Sequence, residues 1–349
     1  MVINLQYSLD YKIGQMVMTG FRGTDVDCSS PISRAIKELN LSGVWLTDNE
    51  SPMQDTIGNI KSPDQLKKLI SDIKKYSDVP LFVAIDAEGG KIIRLKEKYG
   101  FPKTYSAKYL GQKDNPDFTY NEALKIAKTL KRAGINFNFS PVLDLDLEPN
   151  SPALGQKERC FSRDPDKVIR HARQIIKANH SLGILCCLKH FPGHGSTSDD
   201  SHDDYVDVSD SWTEKELRPY RYFIDRNMTD AILTAHIMIK QFDDKYPATL
   251  SKNIITGILR NKLNYQGVVI SDDLNMGAIR LNYSYEDAVE LAINAGVDII
   301  LNSNVMTYNE DIAQITIETI KKLVKDKYIS KSRIDQSFSR IIKLKRGLE

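Results

Sequence analysis

Eight short runs of apolar and β-branched residues recur along this chain: Gln15 to Gly20, Gly43 to Leu46, Pro80 to Asp86, Ile135 to Asp144, Gly183 to Phe191, Asp230 to His236, Gly267 to Asp273 and Asp298 to Asn302. Runs of this length and composition read as buried strands, and the segments between them carry helical periodicity. From Val168 to Leu182, for example, Val168, Ile169, Ala172, Ile175, Ile176 and Leu182 share one face, and Asp164 followed by Pro165 supplies a cap and first turn. Ser62-Pro63-Asp64-Gln65 and Ser211-Trp212-Thr213-Glu214 read as capping boxes opening two further helices, and Ser284 opens a third. Helical pattern also covers Glu122 to Ala133, Asn253 to Leu263 and Asp311 to Asp326.

Strands alternating with helices at this count predict an α/β fold, a single (β/α)8 TIM-type barrel, with a doubly wound open sheet as the alternative. The barrel is favoured because no strand-to-helix turn carries a glycine-rich dinucleotide fingerprint. Polar residues argue the same way. Asp86, Asp144, Lys189 with His190, His236 and Asp272 each fall at the C-terminal end of a different run, where a parallel barrel gathers its reactive groups. No Gly/Ser/Pro-rich linker and no compositional shift interrupts the chain, so residues 1–349 are expected to form one catalytic domain.

Charge and targeting narrow the partners. Lys plus Arg number 48 against 46 Asp plus Glu, a net of +2, which advertises neither a nucleic-acid face nor a polyanion site. No run of apolar residues is long enough to span a bilayer, and the start MVINLQYSLDYKIGQ lacks the apolar core and cleavage site of a signal peptide. The expectation is a soluble cytoplasmic protein that engages no membrane. Cys28, Cys160, Cys186 and Cys187 have no CxxC spacing, and the adjacent pair reads as buried strand rather than as part of a disulfide framework.

Three of the six histidines, His190, His194 and His202, crowd into the stretch Lys189-His190-Phe191-Pro192-Gly193-His194-Gly195-Ser196-Thr197-Ser198-Asp199-Asp200-Ser201-His202. His190 and His194 have the i, i+4 spacing of a zinc pair, but Pro192, Gly193 and Gly195 forbid the helix such a pair relies on, so no metal is assigned there. His194, flanked by glycines, reads as a structural histidine. A lysine ending the apolar run Ile184 to Leu188 faces the barrel mouth, and a buried ammonium there requires carboxylates or substrate oxygens. In Asp200-Ser201-His202, residues two apart in an extended loop face the same side, so the carboxylate can orient the imidazole and raise its basicity for general acid/base work. The run ending Ser271-Asp272-Asp273 offers a carboxylate suited to nucleophilic attack at an anomeric carbon, with the other acid capping the following backbone; periodicity does not say which is which.

These segments together resemble family 3 glycoside hydrolases, specifically the bacterial β-N-acetylglucosaminidase branch. The likeness runs through Ile13-Gly14-Gln15-Met16, Ile85-Asp86-Ala87-Glu88-Gly89-Gly90 with Arg94, Ser140 to Asp144, Arg159-Cys160-Phe161, Lys189 to Gly195 with Asp200-Ser201-His202, Thr234-Ala235-His236, Pro247 to Ser251 and Ser271 to Leu274. The resemblance implies retaining, exo-acting release of terminal N-acetylglucosamine, with Asp272 as nucleophile and His202 paired with Asp200 as acid/base. It also implies Asp86, Arg94, Arg159, Lys189 and His190 as sugar-binding residues, Asp144 and His236 as their supports, and neither cofactor nor metal. Arg94 and Arg159 have a plain alternative as ion-pair partners inside the site. Peptidoglycan fragments are the substrate that the branch suggests. Phosphorolysis, β-glucosidase activity, a metal-dependent barrel hydrolase and a non-catalytic sugar-binding barrel are the competing readings. Departures from the family pattern are Thr47, Cys160 and Ser196; none is a proposed catalytic position, and Thr47 and Ser196 bear on substrate preference.

Overall fold

The computed structural model of the protein describes residues 7–48, 58–198, 206–305 and 307–348. Each of the eight apolar runs contributes one strand: β1 Val17–Gly20, β2 Gly43–Leu46, β3 Phe82–Ile85, β4 Phe137–Asn138, β5 Leu185–Phe191, β6 Ala231–Thr234, β7 Val268–Ile270 and β8 Ile300–Asn302. Every pairing among them is parallel, in the order β7-β6-β5-β4-β3-β2-β1-β8. A single parallel bridge between Ile270 and Ile299 joins the two ends and closes the ring. The strands are buried along nearly their whole length, as a sheet covered by helices outside and side chains inside requires.

Helices fill the crossovers: α1 Pro31–Leu39, α2 Pro63–Lys74, α3 Pro116–Ala133, α4 Pro165–His180, α5 Arg218–Asp225, α6 Asn253–Lys262 with π-type bonding, α7 Tyr285–Ala295, and after β8 the pair α8 Ile312–Lys325 and α9 Lys331–Lys345. Their starts follow sequence chemistry. Ser62 and Gln65 form a reciprocal capping box on α2, Asp164 accepts from the Asp166 N–H at 3.0 Å ahead of α4, and Ser284 accepts from Asp287 N–H on α7. The expected box at Ser211 to Glu214 does not form. Glu214–Leu217 is a 3₁₀ turn without a side-chain cap, Ser211 Oγ instead donates to the Ser196 carbonyl at 3.2 Å, and Trp212 is buried edge-on against Phe242. Pro219, lacking an N–H, then restarts the chain as α5.

The N-terminal end of the ring is sealed by α9. Asp298, fully buried just before β8, accepts from Arg260 at 2.7 Å, Arg340 at 3.0 Å, Arg333 at 3.1 Å, Ser337 Oγ at 2.8 Å and the Val269 N–H at 3.0 Å. Lys345, 2% exposed, holds its Nζ 5.0 Å from the centroid of the Phe82 ring, and that atom has no hydrogen-bond partner among the described residues. Burial pushes the Lys345 ammonium down to about 7. The unfolded chain keeps this proton up to its ordinary value of 10.5, so between those values folding releases it, and stability rises with pH across that window. Below the lower value the full charging penalty is present. Lys345→Met is therefore expected to raise the melting temperature most near pH 6, with the gain over wild type closing as the pH approaches 10; a gain independent of pH would show that the folded lysine keeps its unfolded value and stays charged.

Candidate active site

Lys189 organises the opposite, C-terminal mouth of the ring. Its side chain is 3% exposed, and the carboxylates its burial demands are present: Nζ lies 2.7 Å from Asp86 Oδ1 and 2.7 Å from Glu88 Oε1. Asp86 follows β3 and Glu88 lies two residues beyond, so an extended backbone turns both acids toward β5. Glu88 is also gripped at both oxygens by Arg159, at 2.9 Å from Nε and 2.7 Å from Nη2. Arg159 Nη1 donates to the Ala153 carbonyl at 3.1 Å, which fixes the guanidinium plane.

The network continues through His190. Arg159 Nη2 is 3.1 Å from His190 Nε2, while His190 Nδ1 is 2.7 Å from Asp144 Oδ2. Arginine only donates, so Nε2 accepts, and the ring proton belongs on Nδ1 facing Asp144. This assignment agrees with the titration direction: burial, then Arg159 and Lys189, pushes His190 well below its ordinary value and keeps it neutral. Asp144, 1% exposed, also accepts from the His190 and His194 backbone N–H groups at 3.3 and 2.8 Å. On the other flank, Arg94 lies 3.4 Å from Asp86 Oδ2 and 3.5 Å from Asp48 Oδ1, and Lys96 lies 2.7 Å from Asp48 Oδ2. The Arg94 guanidinium sits 5.6 Å from the Trp45 ring centroid.

Four carboxylates, Asp48, Asp86, Glu88 and Asp144, thus alternate with four cations, Lys96, Arg94, Lys189 and Arg159, in one chain of contacts. Burial by itself would raise the Asp86 and Glu88 carboxyls. Lys189 and Arg94 at Asp86, and Arg159 and Lys189 at Glu88, outweigh it and hold both below the ordinary range. The same acids overcome burial at Lys189 and raise it. Asp86, Lys189 and Glu88 are thereby held ionised. The residues Asp86, Arg94, Arg159, Lys189 and His190 therefore form one connected cluster, in which the two arginines stand as ion-pair partners.

Asp272 stands at the same mouth, after β7, and is partly exposed. Its backbone N–H donates to Thr234 Oγ1 at 3.3 Å, and its Oδ1 accepts from the Asp273 N–H at 2.8 Å. Its charge reaches His190 and His194, opposing the effect of burial on both rings. Asp273 is buried and turned into the protein: Oδ1 accepts from the Asn275 N–H at 3.0 Å and its other oxygen accepts from Ser303 Oγ. The two adjacent acids thus divide as a site-facing carboxylate and a turn-capping one. His236, below them, bonds the Asp273 carbonyl at 3.0 Å and Thr249 Oγ1 at 2.9 Å, a supporting position.

The loop after β5 is fixed at its root. Gly193, at φ 120°, lies where a Cβ would sit 2.5 Å from Glu216 Cβ, and Gly195 where a Cβ would sit 2.0 Å from the Leu145 carbonyl oxygen. His194 is buried with Nδ1 2.9 Å from Thr197 Oγ1, the structural role read for it. Glu216 Oε2 accepts from the Gly195 N–H at 2.9 Å and Oε1 from Ser196 Oγ at 2.9 Å, and burial raises its carboxyl to about 7. Ser196 is one of the departures noted above, and Cys160, another, is buried among Val142, Ala153 and Leu154. Asp200 and His202 lie outside the described residues.

Sequence reading missed Glu88, Asp48 and Glu216. Glu88 had a usable signal, because it shares a face with Asp86 two residues earlier. Asp48 had one as well, since it follows β2 as Asp86 follows β3. Glu216 had none: it lies on a 3₁₀ turn 20 residues beyond Ser196, and only tertiary packing brings it there.

Known proteins resemble the chain over its whole barrel. The beta-hexosaminidase A of Pseudoalteromonas piscicida is 31% identical over 342 residues, covering 91% of this chain and 55% of that protein. The beta-hexosaminidase of Nitrosomonas eutropha is 36% identical over 255 residues, covering 70% of this chain and 71% of that protein. Among solved structures, the glycoside hydrolase family 3 beta-N-acetylglucosaminidase of Paenibacillus sp. str. FPU-7 superposes with a TM-score of 0.89 at 32% identity, over 98% of this chain and 63% of that one. This chain accordingly spans about half the length of the Pseudoalteromonas relative. The Glycosyl hydrolase family 3 N terminal domain matches residues 8–344, and with that extent of match the chain belongs to glycosyl hydrolase family 3.

Proposed function

We propose that the chain is a retaining exo-β-N-acetylglucosaminidase. The observation that carries the reading is the convergence at one barrel mouth of a site-facing carboxylate, Asp272, with the ionised cluster of Asp86, Lys189, Glu88 and Arg159. Hexosaminidase and N-acetylglucosaminidase relatives of matching fold support the sugar class. In this reading Asp86, Arg94, Lys189, Arg159 and His190 exchange hydrogen bonds with the sugar hydroxyls, and Asp272 attacks the anomeric carbon to form a glycosyl-enzyme. His202, oriented by Asp200, protonates the departing oxygen and then takes a proton from the water that releases the sugar. The natural substrate is proposed to be an N-acetylglucosamine-capped peptidoglycan fragment.

The test compares 4-nitrophenyl N-acetyl-β-glucosaminide with the matching β-glucoside and β-xyloside. A preference for the acetamido sugar of roughly tenfold or more in kcat/KM is expected, the scale set by one well-placed polar contact. Equal or reversed preference would reassign the enzyme to β-glucosidase chemistry, and sugar 1-phosphate appearing in phosphate buffer would reassign it to phosphorolysis. A second expectation concerns Glu88. Glu88→Gln removes the negative charge shared by Lys189 and Arg159 and turns one of its two acceptor oxygens into a donor, and kcat/KM on the preferred substrate should fall roughly 10–100-fold, as for other supports of a site residue. An unaltered value would show that the two cations are held without its charge.

A further inference from the structure

At the N-terminal end of the ring, remote from the mouth, α4, β5 and β6 bring together His180, Cys186 and Asp230. One potential ligand atom from each lies within 4.8 Å of the others. His180 ends α4, Cys186 is the second residue of β5, and Asp230 immediately precedes β6. His180 Nε2 is 2.7 Å from Asp230 Oδ2, and the same oxygen accepts the Cys186 backbone N–H at 2.8 Å. We propose that His180, Cys186 and Asp230 form a binding site for a borderline divalent cation, Zn²⁺ in particular, that clamps the end of α4 to strands β5 and β6.

Three observations support the site. The donors are imidazole nitrogen, thiolate sulfur and carboxylate oxygen, the set that zinc accepts, whereas calcium and magnesium require oxygen ligands throughout. Spacing is near what coordination needs: bonds of about 2.0–2.3 Å in a tetrahedron separate ligand atoms by roughly 3.3–3.7 Å, so the 2.7 Å pair opens slightly and the widest separation closes by about 1 Å. Charge also balances. Binding releases the thiol proton to solvent and takes neutral imidazole with its one proton on Nδ1 and Nε2 free to coordinate, leaving one thiolate and one carboxylate against the 2+ ion. Cys186 is fully buried while the His180 side chain is 38% exposed and that of Asp230 19%, so the ion has a path in and a fourth position for water. Cys186 lies three residues before Lys189 on β5, about 10 Å along the strand, so the site is separate from the catalytic mouth.

Cobalt reports thiolate ligation directly and is the probe of choice. In the otherwise intact protein carrying Cys28→Ser, which removes the one exposed thiol, Co²⁺ is expected to raise a sulfur-to-cobalt charge-transfer band saturating at one equivalent, with tetrahedral visible bands. Cys186→Ser should abolish the charge-transfer band. Because that buried change can disturb folding, His180→Gln provides the second arm: affinity should fall by roughly tenfold or more with the fold intact, since a direct ligand matters at least as much as its support. Zn²⁺ should likewise raise the melting temperature of the Cys28→Ser protein and not of its His180→Gln derivative. Absence of the charge-transfer band, its persistence in Cys186→Ser, or unchanged Co²⁺ affinity in His180→Gln would overturn the proposal.

Discussion

Asp272→Ala is expected to lower turnover of an aryl N-acetyl-β-glucosaminide by roughly 10³-fold or more if Asp272 is the proposed nucleophile, the scale on which loss of a covalent nucleophile is measured. Asp272 sits after β7 with its backbone anchored to Thr234 and one oxygen fixed by the Asp273 N–H, so truncation to alanine removes the carboxylate without disturbing the turn that Asp273 caps. The neighbouring change should behave in the opposite way. Asp273→Asn turns one of the two acceptor oxygens that hold Ser303 and Asn275 into a donor inside the protein, so its first effect is expected on thermal stability rather than on the chemical step. Steady-state kinetics together with thermal melts of both variants separate the two roles. Near-normal turnover in Asp272→Ala would remove the nucleophile assignment and, with it, the retaining mechanism.

The largest effect on stability is expected from Asp298→Ala. This carboxylate is fully buried among Arg260, Arg333 and Arg340, and removing it leaves three guanidinium groups facing one another out of water. Breaking a buried ionic cluster from one side costs about 3–5 kcal/mol. For a chain of this size each kcal/mol is worth about 2–4 °C, so the melting temperature should drop on the order of 10 °C. The sign with pH is fixed as well. Burial would raise the Asp298 carboxyl, but the three arginines outweigh it and hold it below its unfolded value of 3.8, so its contribution is present above that value and fades as acid protonates the folded form. Asp298→Ala should therefore be destabilised most at neutral pH and approach wild type in strong acid. Because Asp298 lies at the end of the ring away from the mouth, KM at low temperature should stay at the wild-type value; a shifted KM with an unmoved melt would contradict this account.

The barrel was legible because its strands are almost wholly buried: a strand covered on both faces must be written as an apolar run, and each of the eight runs is one strand. Lys189 was legible for the complementary reason, since an ammonium ending such a run needs acids nearby, and Asp86 and Glu88 supply them. The expected capping box at Ser211 failed because local chemistry was outbid by the packing of Trp212 and by Pro219 further on. Asp298 with its three arginines carried no readable pattern. Its partners come from α6 and α9, separated by up to 42 residues, and only closure of the ring brings them together.

The seam between β7 and β8 has a consequence of its own for motion. The neighbouring pairs β6–β7 and β1–β8 each match three residues, whereas β7 and β8 share one bridge, made by the Ser271 N–H to the Ile299 carbonyl at 3.0 Å and the Ile299 N–H to the Val269 carbonyl at 3.1 Å, with the Asp298 N–H to the Val269 carbonyl at 2.8 Å beside it; side chains add Ser271 Oγ to the Leu301 N–H, Asp298 to the Val269 N–H, and Ser303 to Asp273. A joint of one bridge parts more easily than one laced over three residues, so the native-state breathing of this ring is expected to start there, visible as early amide exchange at Val269, Ser271 and Leu301. The strand that leads to Asp272 thus borders the ring's shortest ladder, where three side-chain bonds supplement the backbone and each can be altered without touching the carboxylate.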